Sequence, residues 1–299
     1  MSKPRILVTG AAGKSASAVV EQMLERGYPV RAFVRQQDDR SNRLKSLGAE
    51  VVVGDVLNPA SIRSVMAGVE RVYFCYPPLE GLLEATTNVA VAARDAGVEA
   101  IVNMTQITAR PNATSQLARQ HWLAERIFDW ADVGASHVKP GYFSDNFYML
   151  NGENIAKEGK IYLPYGEGRH APVASDDIAR VVTAILVDPA PHVGKRHVLT
   201  GPRNMTIREM AEVFSKELGK PVEYVDLPIE HWRQALIEKA GLPEFLADHL
   251  AHVAKDLQDG VFDAQTDVVE RVSGLPAQSL EQFIQANRDR FVSGERRAA

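Results

Sequence analysis

The stretch Arg5-Ile-Leu-Val-Thr-Gly-Ala-Ala-Gly-Lys-Ser-Ala16 decides the fold. An apolar run ends at Val8, a turn carrying Gly10 and Gly13 follows, and an amphipathic segment begins at once. Strand, tight turn and helix start in that order bring backbone N–H groups and the positive end of a helix to one point, where a pyrophosphate can sit. The spacing is Gly-x-x-Gly-x-x-Ala, and Ala16 still permits close helix–strand packing because it adds only a methyl group. A plain strand-to-helix turn has the same local appearance; the position in the first βα unit favours the dinucleotide reading. On that reading Gly10, Ala12, Gly13, Lys14 and Ser15 lie against the phosphates.

The segments that follow repeat the unit. Val19, Val20, Met23 and Leu24 share one helical face, Gly27 ends that helix, and Val30 to Val34 forms a second strand. A site for NAD places Asp or Glu about 20 residues beyond the glycines, whereas an NADP site places Arg there. Here the strand runs into Arg35, which can clamp a 2′-phosphate with Lys14 adding a second cation. Arg35 as a solvated strand-end charge is the plainer alternative. The strand Glu50 to Val53 closes on Gly54-Asp55, where Asp55 either accepts from an adenine amino group or serves as an N-cap or turn aspartate before Asn58-Pro59. Arg71 to Cys75 is a fourth strand; Tyr76-Pro77-Pro78 then leaves the sheet as a stiff loop over the cofactor. A helix over Leu82 to Ala96, a strand Ala100 to Met104 with Thr105-Gln106 at its exit, a helix Ser115 to Asp132 and a strand Ala135 to Lys139 complete the series. The alternation predicts an α/β fold, a Rossmann doubly wound parallel sheet with helices on both faces.

Beyond Pro140 the regularity changes to short strands and helices, with a capping box at Thr206-Ile-Arg-Glu209 and a nearly continuous helical pattern from Pro228 to Arg290. The expected division is residues 1–141 as the nucleotide-binding domain, with returning segments near 172–200, and 142–171 with 201–299 as a smaller, mixed, mostly helical lobe. Asp177 is expected to cap the helix that follows it, and Trp122, Trp130 and Trp232 are expected to pack inside.

Composition excludes several classes. A net charge of −4 gives no basic excess to track a phosphate backbone, so nucleic acid is not expected as a partner. No stretch approaches the roughly 20 apolar residues of a membrane span, and no leader pattern opens the chain, which predicts a cytoplasmic protein. The single cysteine, Cys75, precludes an intramolecular disulfide and a multi-cysteine metal site, and it reads as a buried small hydrophobe. No metal is expected.

Taken together, Thr9-Gly10-x-x-Gly13, Arg35, Gly54-Asp55, Pro140-Gly-Tyr-Phe-Ser-Asp-Asn-Phe147, Ser175-Asp-Asp-Ile-Ala179 and Ser279-Leu-Glu-Gln-Phe283 resemble the NmrA-like group of atypical short-chain dehydrogenases/reductases over nearly the whole chain. The resemblance implies a Rossmann domain with a small C-terminal substrate lobe and NADPH, or NADH, between them. It implies flavin-independent reduction of quinones, azo compounds or triphenylmethane dyes, or alternatively a catalytically inactive NADP(H) sensor that regulates a protein partner. The Tyr-x-x-x-Lys pair of ordinary members is missing, since the corresponding helix offers His121 and Glu125. That departure argues against alcohol dehydrogenation but not against hydride transfer to an acceptor that delocalises charge. His121 is either a proton donor or a helix histidine bonded to Glu125 one turn on. Gln106, Lys139 and Pro140 are placed near the cofactor, with Tyr76 and Pro77, and Lys139 alternatively as a solvated strand end. Tyr142, Phe143, Asn146 and Phe147 are the candidate contacts for a flat aromatic substrate, core packing being the alternative for part of that stretch.

Overall fold

The structure is a computed structural model that describes residues 3–293, so the charged run Glu295-Arg-Arg297 lies outside the described residues. It contains two compact units. The first is Met1–Lys139 with Ile178–His197, and the second is Pro140–Asp177 with Val198–Ala299.

The first unit is built on β1 (Ile6–Thr9), α1 (Lys14–Glu25), β2 (Val30–Val34), α2 (Asp39–Ser46), β3 (Glu50–Val53), α3 (Pro59–Val65), β4 (Arg71–Phe74), α4 (Leu82–Ala96), β5 (Ala100–Met104), α5 (Gln116–Ala131) and β6 (Ala135–Pro140). The strand order is β3-β2-β1-β4-β5-β6, all parallel, and β9 (Arg196–Leu199) adds a seventh strand beside β6. The expected Rossmann sheet is therefore present. Central strands β1, β2 and β5 are buried along their whole length, as a sheet covered on both faces requires, and they read as mostly apolar runs in which Arg31 and Asn103 are buried with partners of their own.

The second unit carries α6 (Asn146–Glu158), β7 (Lys160–Leu163), β8 (Arg169–His170), the start of α7 (Ser175–Val187), β10 (Met205–Thr206), α8 (Ile207–Leu218), β11 (Glu223–Asp226), α9 (Ile229–Glu238), α10 (Glu244–Gln258), α11 (Val268–Ser273), α12 (Leu280–Ala286) and α13 (Arg288–Val292). Of the four later strands other than β9, none joins the main sheet: β7 pairs with β11 and β8 with β10. The box at Thr206 is complete, the hydroxyl accepting from the Glu209 amide and the Glu209 carboxylate from the Thr206 amide. The Thr206 amide and the Arg169 guanidinium hold the Glu209 carboxyl below its ordinary pKa.

Two expectations change. The helix α7 begins at Ser175, so Asp177 sits inside its first turn, where its carboxylate accepts from the Gln278 amide and ties down the loop before α12. Asp145 accepts instead from the Ser175 amide and hydroxyl. Trp130 does not pack: it is 74% exposed, while Trp232 is buried against Tyr165.

The interior of the second unit is an aromatic cluster. Tyr142 packs edge-on against Phe147, Tyr165 and His170, and Phe147 against Phe214. Both ring nitrogens of His170 are buried without a hydrogen-bond partner, and burial pushes its pKa down to about 3. The native imidazole thus stays neutral at pH values where the unfolded chain, near 6.5, has taken up a proton. Stability is complete above about 6.5 and is lost as pH falls towards about 3, at about 1.4 kcal/mol per pH unit. Replacing His170 by Phe removes this loss. Urea titrations at pH 7 and pH 4.5 are expected to show the variant losing about 2–3 kcal/mol less than wild type between the two.

Candidate functional site

The carboxyl ends of β1, β2, β3 and β4 surround a cavity of about 160 Å³ in the first unit, lined by Thr9, Gly10, Arg35, Asp55, Tyr76 and Pro77 among others. Phe33, Val56, Leu57 and Leu79 supply apolar walls that the sequence reading did not assign. Gly54 is required for that shape, because a Cβ there would meet the Phe33 ring at 2.6 Å.

The glycine turn is built for a group that contacts backbone. Gly10 has φ +59°, and a Cβ on it would stand 2.9 Å from the Cys75 carbonyl oxygen. Thr9 locks β1 to the end of β4, its hydroxyl bonding to both the carbonyl and the amide of Cys75. The helix α1 begins at Gly13 with no side-chain cap, no acid in its first turn and Lys14 as its first residue. A cation on the positive end of a helix is unfavourable by itself and becomes favourable when an anion bridges the two. An uncapped amide turn, an exposed lysine and the glycine cradle fit a dinucleotide phosphate. Ala12 is half-exposed in the same turn, whereas Ser15 is buried. Cys75 is half-buried, and desolvation of its thiol pushes the pKa up to about 11, so it is not a thiolate nucleophile.

Arg35, which also lines the cavity, is exposed and forms no hydrogen bond or ion pair among the described residues. One Asp55 oxygen accepts from the Leu57 amide at 2.9 Å, and Asn58, not Asp55, caps α3. Tyr76 donates to the Glu80 carbonyl. Burial first, and then the Asp55 carboxylate, raise its pKa, while Arg35 opposes them.

A second cluster lies at the carboxyl ends of β5 and β6. Lys139 is buried and its Nζ donates to Glu125 Oε1 at 2.7 Å and to the Ala109 carbonyl at 3.0 Å. It is not a solvated strand end. Glu125, 1% exposed, also accepts from the Thr105 hydroxyl and, through Oε2, from Arg196 Nε at 2.9 Å. Arg196 continues to Asp129, and Asp129 to His137, whose other ring nitrogen meets the Asn103 amide at 3.1 Å. The Asn103 amide donates to Nδ1, so the proton of the neutral ring lies on Nε2, towards Asp129. Burial keeps His137 below the ordinary imidazole range. Burial would raise the Asp129 carboxyl, but the bonds from His137 and Arg196 outweigh it and hold its pKa low. His121 is buried on the inner face of α5. Gln106 stands half-exposed at the exit of β5 with its Nε2 buried and unpartnered, and Pro140 ends β6.

The sequence named Glu125 only as a neighbour of His121, and it missed Arg196. A usable signal existed for Glu125, which falls on the same helical stripe as Leu117, Ala118, Ala124 and Phe128, where a carboxylate needs a buried partner. None existed for Arg196, because its position depends on where an edge strand docks. The substrate candidates in the second unit divide: Tyr142 and Phe147 are buried in the aromatic cluster, whereas Phe143 and Asn146 are half-exposed. No helix among the described residues is long and apolar enough to cross a membrane, and they hold no group of three or more His, Cys, Asp or Glu side chains suited to a metal ion.

A parallel sheet with a glycine-lined phosphate cradle at its first βα turn defines an NAD(P)(H)-binding protein of the Rossmann type. The chain belongs to the NmrA-like family, whose model matches residues 2–287. It is 30% identical over 288 residues to the NAD(P)H azoreductase of Xenophilus azovorans, covering 96% of this chain and 99% of that one. Its fold matches the NADPH complex of an NADPH-dependent quinone oxidoreductase from Escherichia coli with a TM-score of 0.82 and 26% identity, over 95% of this chain and 99% of that one. A Citrobacter triphenylmethane reductase complexed with NADP(H) matches with a TM-score of 0.81 and 25% identity, over 94% and 99% of the two chains.

Proposed function

We propose that the chain is an NAD(P)H-dependent reductase that passes a hydride from NADPH, in preference to NADH, to an electron-poor aromatic acceptor of the quinone or azo type, without a flavin. The observation that carries the reading is the cavity of the first unit, lined both by Gly10 of an uncapped glycine turn and by Arg35, which forms no hydrogen bond or ion pair among the described residues. Gly10, Gly13 and Lys14 hold the pyrophosphate, Arg35 the 2′-phosphate and Asp55 the adenine amino group, with Tyr76 towards the nicotinamide half and Pro77 in the loop over the cofactor. The bound dihydronicotinamide supplies two electrons and one proton as hydride. Phe143 and Asn146, which are half-exposed, are the contacts for a flat acceptor, whereas Tyr142 and Phe147 are buried in the aromatic cluster. The relatives that reduce azo compounds and quinones support the acceptor class.

The test follows NADPH absorbance with a panel of benzoquinones, naphthoquinones and azo dyes. Consumption well above the protein-free rate with at least one acceptor is expected. Dinucleotide binding without consumption for any acceptor would overturn the enzyme reading in favour of a nucleotide sensor that acts on a partner.

A further inference from the structure

Lys139 was expected beside the nicotinamide ribose, but its surroundings suit another task. It is 8% exposed, and two of its three N–H bonds are committed, to Glu125 and to the Ala109 carbonyl. The third has no partner among the described residues. A buried ammonium with an idle donor is costly, and such a group is kept where a ligand completes it. The turn that wraps Lys139, residues 105–109, carries two further buried polar atoms without partners, Gln106 Nε2 and Thr108 Oγ1. Three unfilled donors therefore lie at or beside the carboxyl ends of β5 and β6, the rim where open α/β sheets bind ligands.

Charge points the same way. Lys139, Arg126 and Arg196 surround only two carboxylates, Glu125 and Asp129, so the cluster carries one positive charge more than it neutralises. Glu125 accepts from Thr105, Lys139 and Arg196 at once, which fixes the direction of the Lys139 side chain. A fixed cation in a water-poor site stabilises negative charge far better than one in solvent, because no solvent must reorganise when the charge arrives.

We infer that Lys139, oriented by Glu125, receives the negative charge that develops on the acceptor and supplies the proton that completes its reduction, in the role left open by the missing tyrosine of the ordinary family members. The inference rests on the reductase reading above. The acceptor gains a hydride at one end of its conjugated system from the dihydronicotinamide, which is oxidised to the pyridinium. The electron pair displaced by that addition collects on an oxygen or nitrogen at the other end. One Nζ–H bond of Lys139 breaks as the O–H or N–H bond forms, and the resulting amine regains a proton from water. The ligand class is thus an oxygen or nitrogen that becomes anionic on two-electron reduction. Glu125 is the positioning residue of the pair, and His121 is not required as the donor.

The experiment compares the full-length wild type with Lys139→Ala and Lys139→Arg, measuring kcat and KM for one quinone and one azo acceptor, and NADPH binding by fluorescence. Because a general acid contributes about 100-fold or more, Lys139→Ala is expected to lower kcat by about 100-fold while NADPH affinity changes by no more than about threefold. Lys139→Arg keeps the charge but not the transferable proton, and it is expected to recover only a small part of the rate. Adding propylammonium to Lys139→Ala should restore turnover at least about tenfold, which a merely structural lysine would not allow. Where removal of Lys139 alone prevents folding, Lys139→Ala combined with Glu125→Gln relieves the unpaired buried carboxylate and is read in the same way. A folded variant with wild-type kcat, a loss that tracks NADPH affinity, or no response to the amine would each overturn the assignment. Wild-type protein that turns over no acceptor would overturn the reductase reading itself, a separate outcome visible before any variant is made.

Discussion

Glu125→Ala is expected to destabilise the first unit by about 3–5 kcal/mol, read as a shift of its urea unfolding midpoint. The magnitude follows from what the substitution leaves behind rather than from the bonds it removes: a buried cation stripped of its counter-ion costs about that much. Lys139 is the cation concerned, since its only other partner among the described residues is the Ala109 carbonyl, whereas Arg196 retains Asp129. The Thr105 hydroxyl loses its acceptor as well, which unfastens the exit of β5 from α5. Removing both charges together, as Glu125→Gln with Lys139→Met, should recover more than half of the loss, and the non-additivity of the cycle measures the coupling of the pair. Equal and additive losses would show that the two residues contribute by volume alone.

Arg35→Ala is expected to weaken NADPH binding by about 10- to 100-fold and NADH binding by no more than about twofold, from fluorescence titrations of both dinucleotides. Hydrogen bonds to a charged partner contribute about 1.5–3 kcal/mol, and only NADPH presents the 2′-phosphate that would make them. The variant is well posed because Arg35 forms no hydrogen bond or ion pair within the described residues, so its loss leaves the fold undisturbed. Exposure of Arg35 adds a second signature: the NADPH advantage should shrink as salt rises, since the guanidinium is screened by solvent ions. Equal losses for the two dinucleotides would assign the 2′-phosphate to another group.

Much of the first unit was legible because its signals are local. The strands at Val30 to Val34, Glu50 to Val53 and Ala100 to Met104 have the bounds read from the sequence: the first and last are buried along their whole length and mostly apolar, and the edge strand keeps the apolar run Val51 to Val53. The turn at Gly10 is legible for a similar reason, as the backbone must go where only glycine goes cheaply. The second unit was less legible. Its strands are two to four residues long, too short to show a period, and the pairing of β7 with β11 joins residues about sixty positions apart. The aromatic stretch after Pro140 reads the same whether its rings pack or bind, and burial alone separated Tyr142 and Phe147 from Phe143 and Asn146.

By itself, then, the sequence determined the sheet, the phosphate turn and the cation that follows β2, because each depends on residues within one βα unit. Only the tertiary structure decided what Lys139 and Glu125 are for. A lysine at a strand end and a glutamate on a helix are ordinary in a sequence. They become a buried, directed ammonium with an unfilled donor only when β6, α5 and the turn after β5 are packed together and water is excluded from around them.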